Sequence, residues 1–294
     1  MSHNTHTDSF LNQDQIAYTR DEYLNMAAEW EDPLGLPVIE GHESHSVVRD
    51  DLSGMGSKGR FGDLFVRRNP GDFVYIAPRT GIAGISLAQL CNRYGRRLIL
   101  LCPASARMSN HQLIAHELGA ELRFVKIASM TVMKVYGERL AARIGATFIP
   151  LGLKHPLVTA SIVKTCERIT EHYGAPEKVW SAISTGVLQR GLQIGWPDAQ
   201  FRAVAVSRNI KEGERGIAWL ESYPKPFYAP SKCFAPFPSI PTYDLKAWEL
   251  LQESGEEGCL FWNVAGEVSP QDPTLADRID SQRGWHDLSD LDID

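Results

Sequence analysis

The chain has 294 residues, 43% of them hydrophobic and 22% charged, with a formal net charge of -6. This is an ordinary globular balance, and its acidity argues against a nucleic-acid-binding surface. No stretch approaches the roughly 18 apolar residues of a membrane span, and the polar start Met1 to Asp8 lacks a signal peptide's apolar run, so no membrane partner is expected. Cys91, Cys102, Cys166, Cys233 and Cys259 are dispersed without a C-x-x-C pair, as in a reduced, cytoplasmic protein. The histidines show no metal-ligand spacing, so no metal site is expected.

Residues 1–18 read as a mobile arm. Arg20 to Trp30 has helical spacing, with Tyr23, Met26, Ala27 and Trp30 on one face. Asp32 to Pro37 breaks it, and Val47-Val48 forms a short strand. Further on, strands at Phe73–Ala77, Arg97–Cys102, Glu121–Val125 and Thr147–Ile149 alternate with helices at Gly84–Tyr94, His111–Leu118 and Thr131–Ile144. A second series follows: helix Leu157–Tyr173, strand Lys178–Ile183, helix Val187–Ile194 and strand Phe201–Val206. Proline-rich connections fill Pro224 to Pro241, then come helix Tyr243–Glu253 and the buried strand Cys259–Trp262. The alternation implies an α/β fold with mainly parallel sheets and right-handed crossovers. Residues 267–294 read as an acidic, solvated tail.

Two stretches carry chemistry. In Asp50 to Gly62, Lys58 sits among glycines and serines, a setting that reads as a loop; a lysine there can form a Schiff base once its amine loses its proton. Ser184-Thr185-Gly186-Val187-Leu188 follows a strand and opens a helix, where backbone N–H groups and hydroxyls make an anion site.

Asp50-Asp51, Gly56-Ser57-Lys58 and Arg60 resemble the lysine segment of the fold-type II pyridoxal-phosphate enzymes, the group of tryptophan synthase β, cysteine synthase, D-cysteine desulfhydrase and aminocyclopropane-carboxylate deaminase. Thr185, Gly186 and Gly191 match that group's phosphate loop, while Ser184, Val187 and Leu188 replace its Gly, Gly and Thr. Pro103 to Ser109 with Glu117-Leu118-Gly119-Ala120-Glu121-Leu122, and Cys259 to Gly266, resemble further segments, so the likeness spans about Val47 to Gly266. Ala77 to Gly84 departs from the group: aligning the glycines puts Ile82 where members carry the asparagine of their substrate-carboxylate loop.

The resemblance implies two three-layer αβα domains, with pyridoxal 5'-phosphate in the cleft between them. The smaller domain would be 75–150, and the larger, cofactor-binding one 19–74 with 151–266. Lys58 would carry the cofactor and act as acid and base. Thr80, Gly81, Ser184, Thr185, Gly186, Val187, Leu188 and Asn263 would bind the cofactor, and Ser57, Arg79 and Thr80 the substrate. The implied activity is a lyase acting at Cα. The altered turn favours decarboxylation of an amino-acid adduct, as in the bacteriophage pathways that hypermodify thymidine in DNA. β-Elimination or deamination of a small amino acid is the alternative, and an inactive binding protein on the same fold a third. Homodimers are common in the group, which sets the expectation of a homodimer.

Overall fold

The computed structural model describes residues 18–105, 107–126, 129–206 and 210–282. The expected arm, Tyr18 apart, and the last part of the expected tail lie outside the described residues. By contacts the chain forms two compact units, Met1–Leu64 with Gly152–Glu267, and Phe65–Leu151 with Val268–Asp294.

The first unit is built on a six-stranded sheet, ordered β1-β2-β10-β7-β8-β9. The strands are β1 (Ile39–His42), β2 (His45–Arg49), β7 (Lys178–Ile183), β8 (Gln200–Ala205), β9 (Trp219–Ser222) and β10 (Leu260–Asn263). All neighbours run parallel except β1 on β2. β1 and β9, the two edges, escape a periodicity reading because neither shows an alternating apolar face: Ile39-Glu40-Gly41-His42 and Trp219-Leu220-Glu221-Ser222.

Side chains alternate across this sheet, and the two faces have different jobs. Val47, Trp180, Ala182, Val204 and Phe261 pack against Trp248 and Leu251 of helix α9 (Asp244–Ser254). On the other face Ser181 bonds Gln189 of α7 (Val187–Gly195), and the Trp262 ring lies 5.9 Å from Phe61 of α2 (Gly56–Arg68) and 6.3 Å from Trp196. A third cluster joins Tyr23 of α1 (Arg20–Met26) and Leu64 to Ala160 and Val163 of α6 (Pro156–Tyr173).

The second unit holds a four-stranded, wholly parallel sheet, β5-β4-β3-β6, made of β3 (Phe73–Ile76), β4 (Leu98–Pro103), β5 (Glu121–Val125) and β6 (Thr147–Ile149). Val74, Ile76, Ile99 and Leu101 pack on Met133 and Leu140 of α5 (Met130–Ile144). Leu100 points the other way, toward Gly84 of α3 (Ala83–Arg93), beside which runs α4 (Asn110–Glu117). Residues 268–282 belong to this unit: the Glu117 carboxylate accepts the backbone amides of Gln271 and Asp272, and α10 (Leu275–Gln282) follows.

The reading from sequence puts the changeover between 74 and 75, whereas by contacts it falls at Leu64 and Phe65, inside α2. A helix offers no composition break to mark such a point. Four cysteines are buried and Cys233 is half-buried, none in a disulfide. No helix among the described residues is long and apolar enough to cross a membrane.

Candidate active site

The lysine segment is not a loop. Asp50–Ser53 is a short 3-10 turn, Gly54 takes a left-handed φ of 66° as its C-cap, and α2 begins at Gly56, so Lys58 stands in the first turn of a helix. Gly59, one of the glycines that suggest a loop, serves a tight approach: a Cβ there would lie only 3.2 Å from Met55 Cε and closer still to Met55 Cβ.

A pocket lies in the first unit. It brings together Ser57 and Lys58 from α2, the run Ser184 to Gln189 at the end of β7 and start of α7, Tyr243 before α9, and Val264 after β10. α7 starts without a side-chain cap, after Gly186 at φ 77°, so the positive end of its dipole faces this turn. Thr185 packs on Gly152, whose φ of 77° and missing Cβ make room for the threonine side chain. Burial lowers the Lys58 amine below the usual lysine range, with Asp244 pulling the other way.

Asp244 is fully buried, and neither carboxyl oxygen makes a hydrogen bond of full geometry, although the Val264 and Ala265 backbone amides lie near enough to act on it. Burial raises its pKa well above the ordinary carboxyl value, against smaller opposing pulls from the Val264 and Ala265 amides and from Lys58. The Tyr243 hydroxyl lies 3.4 Å from Ser184 Oγ, and burial raises it as well. Gln189 also leaves its Nε2 unpartnered, since only its Oε1 is taken, by Ser181.

Of the expected residues, Asn263, Arg79, Thr80 and Gly81 do not line this pocket, and Ser57 does so already engaged. Asn263 is buried, but its amide donates to Asp51 Oδ1 and to the Pro238 carbonyl, each at 2.8 Å. Ser57 reaches the pocket with its hydroxyl already engaged by Asp50 and Trp262. Arg79, Thr80 and Gly81 belong to the second unit, between β3 and α3, where Ser109 bonds the Arg79 carbonyl. Ile82 there is 5% exposed and forms the N-cap of α3, so its apolar side chain serves packing.

Tyr243 and Asp244 escape a sequence reading because an acid in the first turn of a helix is commonplace. Trp262 escapes it because a tryptophan in an apolar strand looks like core alone.

No protein-family model matches this chain, and no curated protein does. Solved structures do. An ACC deaminase homologue superposes with a TM-score of 0.70 at 17% identity, covering 92% of this chain and 98% of its own. A pyridoxal 5'-phosphate-dependent aspartate racemase gives 0.67 at 11% identity, covering 86% and 97%. Diaminopropionate ammonia lyase from Escherichia coli gives 0.62 at 10% identity, covering 88% and 90%. The chain has the fold-type II fold. At these identities the likeness carries the architecture, and the chemistry must be argued from the pocket.

Proposed function

We propose that the chain is a pyridoxal-phosphate-dependent lyase acting at Cα of an amino acid or amino-acid adduct in the cytoplasm. The observation that carries this reading is the pairing, in one pocket, of a buried lysine of lowered basicity with the N-terminus of α7. The first suits an aldehyde and the second a phosphate. The buried Asp244 carboxyl, met only by the weak pulls of two backbone amides, tests the fit, since a cofactor with a basic ring nitrogen would give it a full partner.

Lys58 would hold the cofactor, with Ser184, Thr185 and the first amides of α7 around its phosphate and Asp244 available to its ring nitrogen. When bound, the cofactor withdraws electrons from Cα of the substrate amine. Burial keeps the Lys58 amine poised to lose its proton, so Lys58 is the group that removes and returns a proton at Cα. Tyr243, whose hydroxyl stays protonated because it is buried, is the second proton donor in the pocket.

Elimination or deamination is the leading bond class, because superposing structures include a threonine deaminase and diaminopropionate ammonia lyases. Decarboxylation of an adduct, such as an amino acid carried on a thymidine nucleotide in bacteriophage DNA, is the second reading. It rests on Ile82 in place of a polar contact in the carboxylate turn. The test adds pyridoxal phosphate to purified protein and reduces with borohydride. Modification of Lys58, with ammonia and a keto acid from free amino acids, supports elimination. Carbon dioxide from adducts alone supports decarboxylation, and no modification of Lys58 refutes both.

A further inference from the structure

We propose that Asp50, Ser57 and Trp262 form a positioning unit that aims the Lys58 amine into the pocket, and that Ser57 is not a substrate contact. The inference rests on Lys58 as the reactive residue and concerns the groups behind it.

Ser57 precedes Lys58 and is bound three ways. Its backbone N–H donates to the Val264 carbonyl at 2.8 Å. Its hydroxyl donates to Asp50 Oδ2 and accepts the Trp262 indole N–H at 2.9 Å. The same indole N–H reaches Asp50 Oδ2 at 3.1 Å. Ser57 is 4% exposed, and Asp50 and Trp262 are not exposed at all. With its hydroxyl proton given to Asp50 and its oxygen occupied by the indole, Ser57 has little left to offer a ligand.

Two residues past Lys58 the other side is fixed. Arg60 Nε donates to Asp50 Oδ1 at 2.9 Å, and its NH1 reaches Asp32 and, at 2.6 Å, the Gly35 carbonyl. Asp50 therefore grips the helix on both sides of the lysine, one residue before it and two after. Three chain segments meet there: the turn after β2, the end of β10 and the first turn of α2.

Successive residues of a helix point about 100° apart. Ser57 turned toward the indole therefore fixes the azimuth of Lys58, which faces the pocket. A reacting group displaced by about 1 Å can lose about 100-fold in rate, so a clamp on this turn has chemical value beyond stability. If the clamp loosens, the amine leaves its buried setting, and its basicity rises toward that of a solvated lysine.

The experiment compares wild type with Ser57→Ala, Ser57→Thr and Trp262→Phe. In the cofactor-free proteins, the pH dependence of Lys58 reductive methylation is followed by mass spectrometry, with thermal unfolding alongside. Ser57→Ala and Trp262→Phe should move the Lys58 methylation midpoint upward, and Ser57→Thr should return it toward wild type. With pyridoxal phosphate, the first two variants should bind about tenfold more weakly than wild type. Lys58 profiles unchanged in both loss variants would overturn the positioning unit, as would a shift that tracks only lowered unfolding temperature and is not rescued by threonine. Wild type that never becomes borohydride-labelled at Lys58 overturns the proposed function instead, and the methylation arm still decides the clamp.

Discussion

Gly186→Ala tests which neighbour demands a glycine at the mouth of α7. The resemblance assigns Gly186 to the approach of a phosphate. In the structure its vacant Cβ position is filled from another side: an added methyl would overlap the Glu214 carbonyl oxygen and sit 2.8 Å from that carbonyl's carbon. Glu214 belongs to helix α8 (Glu212–Arg215), which is strapped to α7. Arg190 donates to the Gly213 carbonyl, Gln193 Nε2 to the Arg215 carbonyl at 2.7 Å, and the Ile217 amide to Gln193 Oε1 at 3.1 Å. Alanine at a φ of 77° costs about 1–2 kcal/mol in backbone strain. Lifting the strap to relieve the overlap loses hydrogen bonds of about 0.5–1.5 kcal/mol each. The cofactor-free protein should therefore lose about 3 kcal/mol, read by urea denaturation of wild type and variant. Unchanged stability without cofactor, combined with weakened pyridoxal-phosphate binding, would refute the strap argument and return the glycine to the phosphate.

Lys58→Ala should abolish the borohydride-stable attachment of pyridoxal phosphate while leaving the cofactor-free protein at least as stable, since a buried amine is removed; circular dichroism and mass spectrometry check both halves. Arg60→Ala strands Asp32 and Asp50 without their cation and should cost about 3–5 kcal/mol; a urea midpoint near wild type would contradict it. Asp244 has a folded-state pKa raised above its unfolded value, so its neutral form favours the fold at low pH and that contribution fades as pH rises toward the raised value. Asp244→Asn should therefore flatten the cofactor-free stability profile above pH ~4, and parallel profiles for the two proteins would show that Asp244 does not titrate with folding.

The parallel sheets were legible because their strands are short and largely apolar: the continuous run Leu98-Ile99-Leu100-Leu101-Cys102, and Lys178–Ile183 with Val179, Trp180, Ala182 and Ile183, stand where expected, each followed by a crossover helix. The start of α2 was not, because its glycines oppose helix formation and tertiary bonds from Asp50 and Val264 override them. Ser57, Lys58 and the Ser184 to Leu188 turn share a pocket, and their types and order were visible in the chain. The weak partnering of Asp244 was not visible, since it depends on which donors the fold brings near it. Asn263 is a mixed case: its type suited a ring contact, and Asp51 and Pro238 take its NH2 while its Oδ1 has no partner.

The cysteine distribution gives the molecule a single address for thiol chemistry. Burial pushes the Cys91 and Cys102 thiols up to about 12 and Cys259 to about 11, and raises Cys166 further. Thiolate, the reactive form, is thus scarce at all four, and a reagent also has no path to them. Cys233, half-buried in the proline-rich segment, is the thiol a maleimide dye would reach first, slowly because burial and the nearby Glu249 and Glu253 also raise it. A fluorophore can therefore be placed beside the α9 face of the first unit without engineering a cysteine-free background.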